Sequence, residues 1–281
     1  MFDAEGVAGP PNPETEAIWR AILLGTEPRF RRTRKIMKHL PSPPRCKLCA
    51  TPFEGRLAPF MRAIGRRRWS GNPKYCAYCF HAIEALHGGA EIDCSMLFAD
   101  VRGSTTMAEK VSPDAFRRLM DRFYRVATDI LVEHDGIIDK YVGDEVVAIF
   151  IPALAHEAHA SKAVAAAMLL LGATGHEDPG GPWLPVGVGI ASGVAYVGSV
   201  GTGDHVEFTA LGDVVNTAAR LASTARAGEV LLTMPAAGRA DIDVSSLERR
   251  GLDLKGKSHH VEVAVIRVGN LAPDRSQPGT R

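Results

Sequence analysis

MLFADVRGST (residues 96–105) and IIDKYVGDE (residues 137–145) decide how this chain is read. The first is an apolar run that stops on Asp100 and opens into a glycine-containing loop, which predicts a strand ending on a carboxylate. The second places Gly143-Asp144 between two strand-like segments, Ile137 to Tyr141 and Glu145 to Phe150, which predicts a hairpin with Asp144 in its turn. Between them, Ser112-Pro113-Asp114 supplies a cap, a first-turn proline and an acid at the positive end of a helix dipole. Phe116, Leu119, Met120, Phe123, Ala127, Ile130 and Leu131 then recur at helical spacing up to Gly136. Two carboxylates thus meet across neighbouring strands. Hard oxygen ligands on strand ends, with positions left for substrate oxygens, suit a pair of divalent cations in phosphoryl chemistry.

Working outward, Ala155 to Gly172 predicts a second helix. Leu184 to Ile190 and Val194 to Val200 predict a hairpin turning near Ser192-Gly193. Val206 to Ala210, Glu229 to Thr233 and Val261 to Val268 read as strands and Asp213 to Thr224 as a helix. Helices alternating with strands that include hairpins give an α+β class, a sheet layered on one face by helices. In the N-terminal direction, residues 1–13 are rich in Gly and Pro and are expected to be disordered, as are residues 271–281. Glu14 to Leu24 reads as a short helix with Ile18, Ile22 and Leu23 on its apolar face. The division expected is an N-terminal extension (1–40), a cysteine module (41–90), a catalytic domain (92–268) and a tail (269–281).

The 281 residues are 46% hydrophobic and 23% charged, enough for a substantial core. No apolar run is long enough to cross a bilayer and no signal-peptide pattern opens the chain, so a cytoplasmic protein with no membrane association is expected. The net charge of +1 conceals an asymmetry: residues 1–91 hold 15 Lys/Arg against 8 Asp/Glu, and residues 92–281 hold 18 against 24. The basic run from Arg29 to Leu40 would suit an acidic partner or a nucleic-acid backbone. Stacking aromatics are sparse there, so nucleic acid is not the expected partner.

Four of the five cysteines form Cys46-x-x-Cys49 and Cys76-x-x-Cys79, with 26 residues between the pairs. Each pair lets two thiolates of one tight turn reach a single ion, and two turns close a tetrahedral, structural Zn²⁺ site. An iron–sulfur cluster on the same thiolates, and free redox-active thiols, remain open alternatives.

FADVRGST, KYVGDEVVAIF and FTALGDVVNTAARL, with LKGK downstream, together resemble the class III nucleotidyl cyclases over residues 92–268. The resemblance implies a ferredoxin-like catalytic sheet. It implies that Asp100 and Asp144, helped by the Val101 carbonyl, hold two Mg²⁺ or Mn²⁺ ions, and that backbone donors of Gly103, Ser104 and Thr105 meet phosphate oxygens. Asn216 would orient the ribose, Arg220 would meet charge on the pentavalent phosphorus, and Lys255 would contact the terminal phosphates, with Lys257 as its substitute. Asn216 and Arg220, four apart, share one helix face.

Lys140 and Thr209 fall where this family reads its base. Lys with Thr resembles adenylate cyclases rather than guanylate cyclases, which usually carry Glu and Cys there. ATP is therefore the implied substrate, with 3',5'-cyclic AMP and pyrophosphate as products. The family shares its sites between two subunits, so a homodimer is implied. A guanylate cyclase, a non-catalytic nucleotide sensor on the same fold and a zinc-dependent nucleic-acid binder are the competing readings. The sequence names no activating signal, and a regulatory protein or small-molecule activator stays open as a partner.

Overall fold

The computed structural model describes residues 12–268 except 38, 40–43, 47–48, 70–72, 85, 203–204 and 254–259. The elements run α1 (Pro13–Leu23), α2 (Pro28–Met37), α3 (Ala58–Ala63), α4 (Ala77–Glu84), β1 (Gly88–Val101), α5 (Ser104–Lys110), α6 (Pro113–Glu133), β2 (Ile137–Val142), β3 (Glu145–Phe150), α7 (Pro152–Ala155), α8 (His159–Ala173), β4 (Val186–Thr202), β5 (His205–Leu211), α9 (Asp213–Thr224), β6 (Glu229–Thr233), α10 (Met234–Arg239), β7 (Glu248–Leu252) and β8 (Val261–Arg267). No described helix is long and apolar enough to cross a membrane.

One eight-stranded sheet has the order β2-β3-β1-β4-β6-β8-β7, with β5 paired to β4 beside that path. All pairings are antiparallel except β4 with β6. β1 sorts its side chains by the period of two of a strand. Leu97, Ala99 and Val101 enter one core with Phe123 and Leu131 of α6, Leu170 and Leu171 of α8 and Ala236 of α10. Ile92, Cys94, Met96 and Phe98 enter the other with Trp19 and Ile22 of α1, Phe80 of α4 and Val214, Ala218 and Ala222 of α9. Both faces of β1 are apolar, so helices cover the second face as well as the first.

Three local readings change. The expected hairpin at Ser192-Gly193 does not form: β4 continues through both residues, pairing Ser192 with Ser95 and Gly193 with Cys94. The antiparallel partner that follows is β5. Glycine serves close packing in β4 rather than a turn, since a Cβ on Gly189 would lie 2.3 Å from the Ala218 carbonyl of α9. After α6 it is Asp135, not Gly136, that takes the left-handed conformation, at φ 67°. In α1 the buried anchor is Trp19, while Ile18 is exposed.

The cysteine module and the sheet share one apolar cluster, in which Cys46, Cys49, Cys76 and Cys79 join Trp19, Ile92, Met96 and Ile149. β1 begins at Gly88, ahead of the expected boundary at 92. Residues 29–37 of the basic run lie in α2, which has no buried residues. Residues 1–11 and 269–281 lie outside the described residues.

Candidate active site

β1 carries Asp100 to the sheet's end, where it pairs in register with Glu145. The β2–β3 turn brings Asp144 alongside, and the Val101 N–H donates to the Asp144 carbonyl at 3.3 Å. Gly143 makes the turn possible at φ 61°. α6 holds the turn from behind: the Tyr124 hydroxyl donates to the Gly143 carbonyl, and the Tyr124 and Tyr141 rings lie 4.6 Å apart.

Three carboxyl groups therefore gather at one point, and the electrostatics record it. Burial pushes Asp100 above its ordinary pKa against the pull of Arg102, and Asp144 adds to the rise. Burial, with the charges of Asp100 and Asp144, pushes Glu145 up to about 7. Arg102 forms an ion pair with Asp100 and donates through Nη1 to the Ser223 carbonyl at the end of α9, 2.7 Å away. One guanidinium against three crowded carboxyls leaves an excess of negative charge on hard oxygen donors. That donor set fits divalent cations such as Mg²⁺ or Mn²⁺.

Asn216 and Arg220 stand one turn apart on α9, which packs against β4 and β1. Asn216 is exposed and Arg220 half-buried. Nη1 of Arg220 is buried with no hydrogen-bond partner among the described residues. Such a donor costs free energy until an acceptor meets it. Gly103 takes φ 69° and α5 begins at Ser104, so residues 103–105 form the entry to a short helix beside Asp100.

Lys140 and Thr209 come together where β2 meets β5. Thr209 is buried and donates through Oγ1 to Oδ2 of Asp139 at 3.0 Å, and Lys140 Nζ lies 3.4 Å from Glu207 and 4.0 Å from Asp139. Asp139 and Glu145 are site groups that sequence reading missed. Both flank residues already singled out, and their adjacency to Lys140 and Asp144 was the available signal. Lys255 and Lys257 lie outside the described residues.

The four module cysteines put their sulfurs within 4.8 Å of one another, all buried. The first turn is closed by the Ala50 N–H on the Cys46 carbonyl at 2.8 Å, and the second by Cys79 on Cys76 at 3.1 Å. Cys49 is held well below the ordinary thiol range by hydrogen bonds from Cys46, Cys76 and Cys79. Cys76 and Cys79 are pushed up, first by bonding with Cys46. A cation would resolve this crowding by accepting every sulfur as thiolate, and an all-sulfur set of four fits Zn²⁺.

Residues 90–266 match the family model described as the adenylate and guanylate cyclase catalytic domain. The Mycobacterium tuberculosis protein Rv1318c is 29% identical over 191 residues, 67% of this chain and 35% of that protein. An adenylate cyclase of Anabaena cylindrica is 32% identical over 150 residues, 50% of this chain and 29% of that enzyme. The chain thus spans about a third of the length of the curated relatives it matches. Among solved structures, the adenylyl cyclase CyaB from P. aeruginosa superposes with a TM-score of 0.54 at 26% identity, covering 63% of this chain and 95% of that one.

Proposed function

The chain belongs to the adenylate and guanylate cyclase catalytic-domain family, and from that premise we propose that it is an adenylate cyclase acting as a homodimer. The 3'-hydroxyl oxygen of ATP bonds to the α-phosphorus, the bond to the β-phosphate bridging oxygen breaks, the hydroxyl proton is released, and cyclic AMP and pyrophosphate leave.

The observation that carries this reading is the buried Nη1 of Arg220, which has no hydrogen-bond partner among the described residues. A buried guanidinium nitrogen with no acceptor among the described residues is matched to the oxygens of a phosphoryl group whose charge grows in the transition state. Asn216, one turn away and exposed, orients the ribose. Asp100 and Asp144, with the Val101 carbonyl, hold two Mg²⁺ or Mn²⁺ ions. When bound, these lower the pKa of the attacking hydroxyl and offset charge on the triphosphate. Gly103, Ser104 and Thr105 offer backbone donors to phosphate oxygens, and Lys255 meets the terminal phosphates. Lys140 and Thr209 read adenine, a choice supported by the adenylate cyclases among the relatives. The cysteine module holds a structural Zn²⁺. The division into N-terminal extension, zinc module and catalytic domain, and a cytoplasmic location, belong to the same proposal.

The deciding experiment incubates purified protein with Mn²⁺ and either ATP or GTP and separates the products by chromatography. Cyclic AMP as the main product is the expected result. No cyclic product from either nucleotide, with a folded dimer, would favour a nucleotide sensor instead.

A further inference from the structure

We propose that Asp139 is a positioning residue that fixes the direction of the Thr209 hydroxyl, making Thr209 an acceptor toward the nucleobase and selecting a base with an amino group. The inference rests on the adenylate cyclase reading in one respect, that Thr209 faces the base.

The register of β2 supplies the first observation. Ile138 pairs with Ala148 and Lys140 with Val147, so Asp139 is an extra residue with no partner on β3. Such a bulge re-aims side chains. In a regular strand Asp139 and Lys140 would face opposite sides. Here both reach β5, Asp139 at Thr209 and Lys140 at Glu207.

The second observation is the state of that carboxyl. Its side chain is 3% exposed, Oδ2 accepts the Thr209 hydroxyl, and Oδ1 is buried without a partner among the described residues. Burial raises its pKa to about 6, against the pull of Lys140 and the Thr209 bond, while Glu207 adds to the rise. At neutral pH it is therefore predominantly ionised, and in that form it has no proton to give.

A hydroxyl has one proton and two lone pairs. With its proton committed to Asp139, Thr209 presents only lone pairs to a ligand. The N6 amino group of adenine donates and is matched, whereas the O6 carbonyl of guanine would set acceptor against acceptor. Thr209 alone would rotate to suit either base.

Asp139→Asn tests this with little change of shape, because an amide both accepts and donates and so releases the hydroxyl. The ratio of kcat/KM for ATP over GTP is expected to fall about tenfold, the scale of one hydrogen bond. The affinity ratio for ATP and GTP analogues that cannot cyclise should fall in the same direction. In the wild type the ratio should decline as pH falls from 8 through about 6, while the variant's ratio stays flat. An unchanged analogue ratio in folded Asp139→Asn protein, or equal pH slopes in both proteins, overturns the inference. Absence of cyclic product from the wild type would sink the enzyme reading instead, and the analogue ratio would still decide the role of Asp139.

Discussion

Phe80 meets Phe208 edge to face at 5.8 Å, so the residue after Cys79 touches the residue before Thr209. Phe80 also stacks on Trp69 at 3.5 Å, and Phe208 stacks on Trp19 at 6.3 Å. The cysteine turns are thereby linked through aromatic rings to the strand carrying Thr209.

Phe80 is 3% exposed, and Phe80→Ala is expected to cost about 3–5 kcal/mol, the range for truncating a buried aromatic. Denaturant unfolding followed by tryptophan fluorescence measures it. Treatment with a strong chelator, which would strip the proposed Zn²⁺, should lower the melting temperature of the wild type and leave that of Cys76→Ser unchanged. Equal responses in both proteins would count against a metal on these four sulfurs.

Asp100→Ala and Arg220→Ala proteins should each be inactive alone. Mixed, they should regain about a quarter of wild-type activity, from random pairing with one intact shared site per mixed dimer. Activity assays after subunit exchange, with exchange proven by mass photometry of tagged chains, check this. No recovery despite exchange rules out sites shared between copies.

Glu229 is fully buried on β6 and accepts from Arg250 at 2.9 and 3.1 Å, from Arg267 at 3.4 Å and from the Arg226 N–H at 3.1 Å. Burial alone would raise its pKa, but the Arg250 and Arg226 bonds and the charges of Arg250 and Arg267 outweigh it, so the carboxyl sits below its ordinary value. A depressed carboxyl stabilises the fold above the unfolded pKa and loses that contribution as pH falls through the folded value. Glu229→Gln should therefore destabilise at pH 7 by about 2 kcal/mol, less than for a fully buried pair because both guanidiniums are partly exposed. The gap between variant and wild type should close on acidification below about pH 4. Urea unfolding at both pH values tests the sign, and a gap that widens in acid would refute it.

The catalytic half was largely legible because its signals were local. Ser112 caps α6 through the Ala115 N–H, the periodicity of α9 matches its observed span, and Gly143-Asp144 makes the β2–β3 turn. Where reading failed, tertiary packing had overruled local chemistry. Ser192-Gly193 carries a turn signal, yet β1 pairs with β4 straight through it. β7, Glu248–Leu252, went unread because it is a polar edge strand without an apolar pattern. Asp139 was hidden for a different reason. Nothing in IIDKY announces a bulge, which exists only in the pairing of β2 with β3.

Cys94 lies at the middle of β1, fully buried, its thiol pushed up to about 12 by burial with a contribution from Asp93. A thiol in that state offers no thiolate to an alkylating or oxidising reagent at neutral pH. The chemical reactivity of the native protein's cysteines is therefore that of the four-sulfur cluster alone. With the proposed Zn²⁺ on the cluster, a thiol titration should step from zero to four equivalents on chelation, and reach the fifth of the five cysteines only when the sheet itself comes apart.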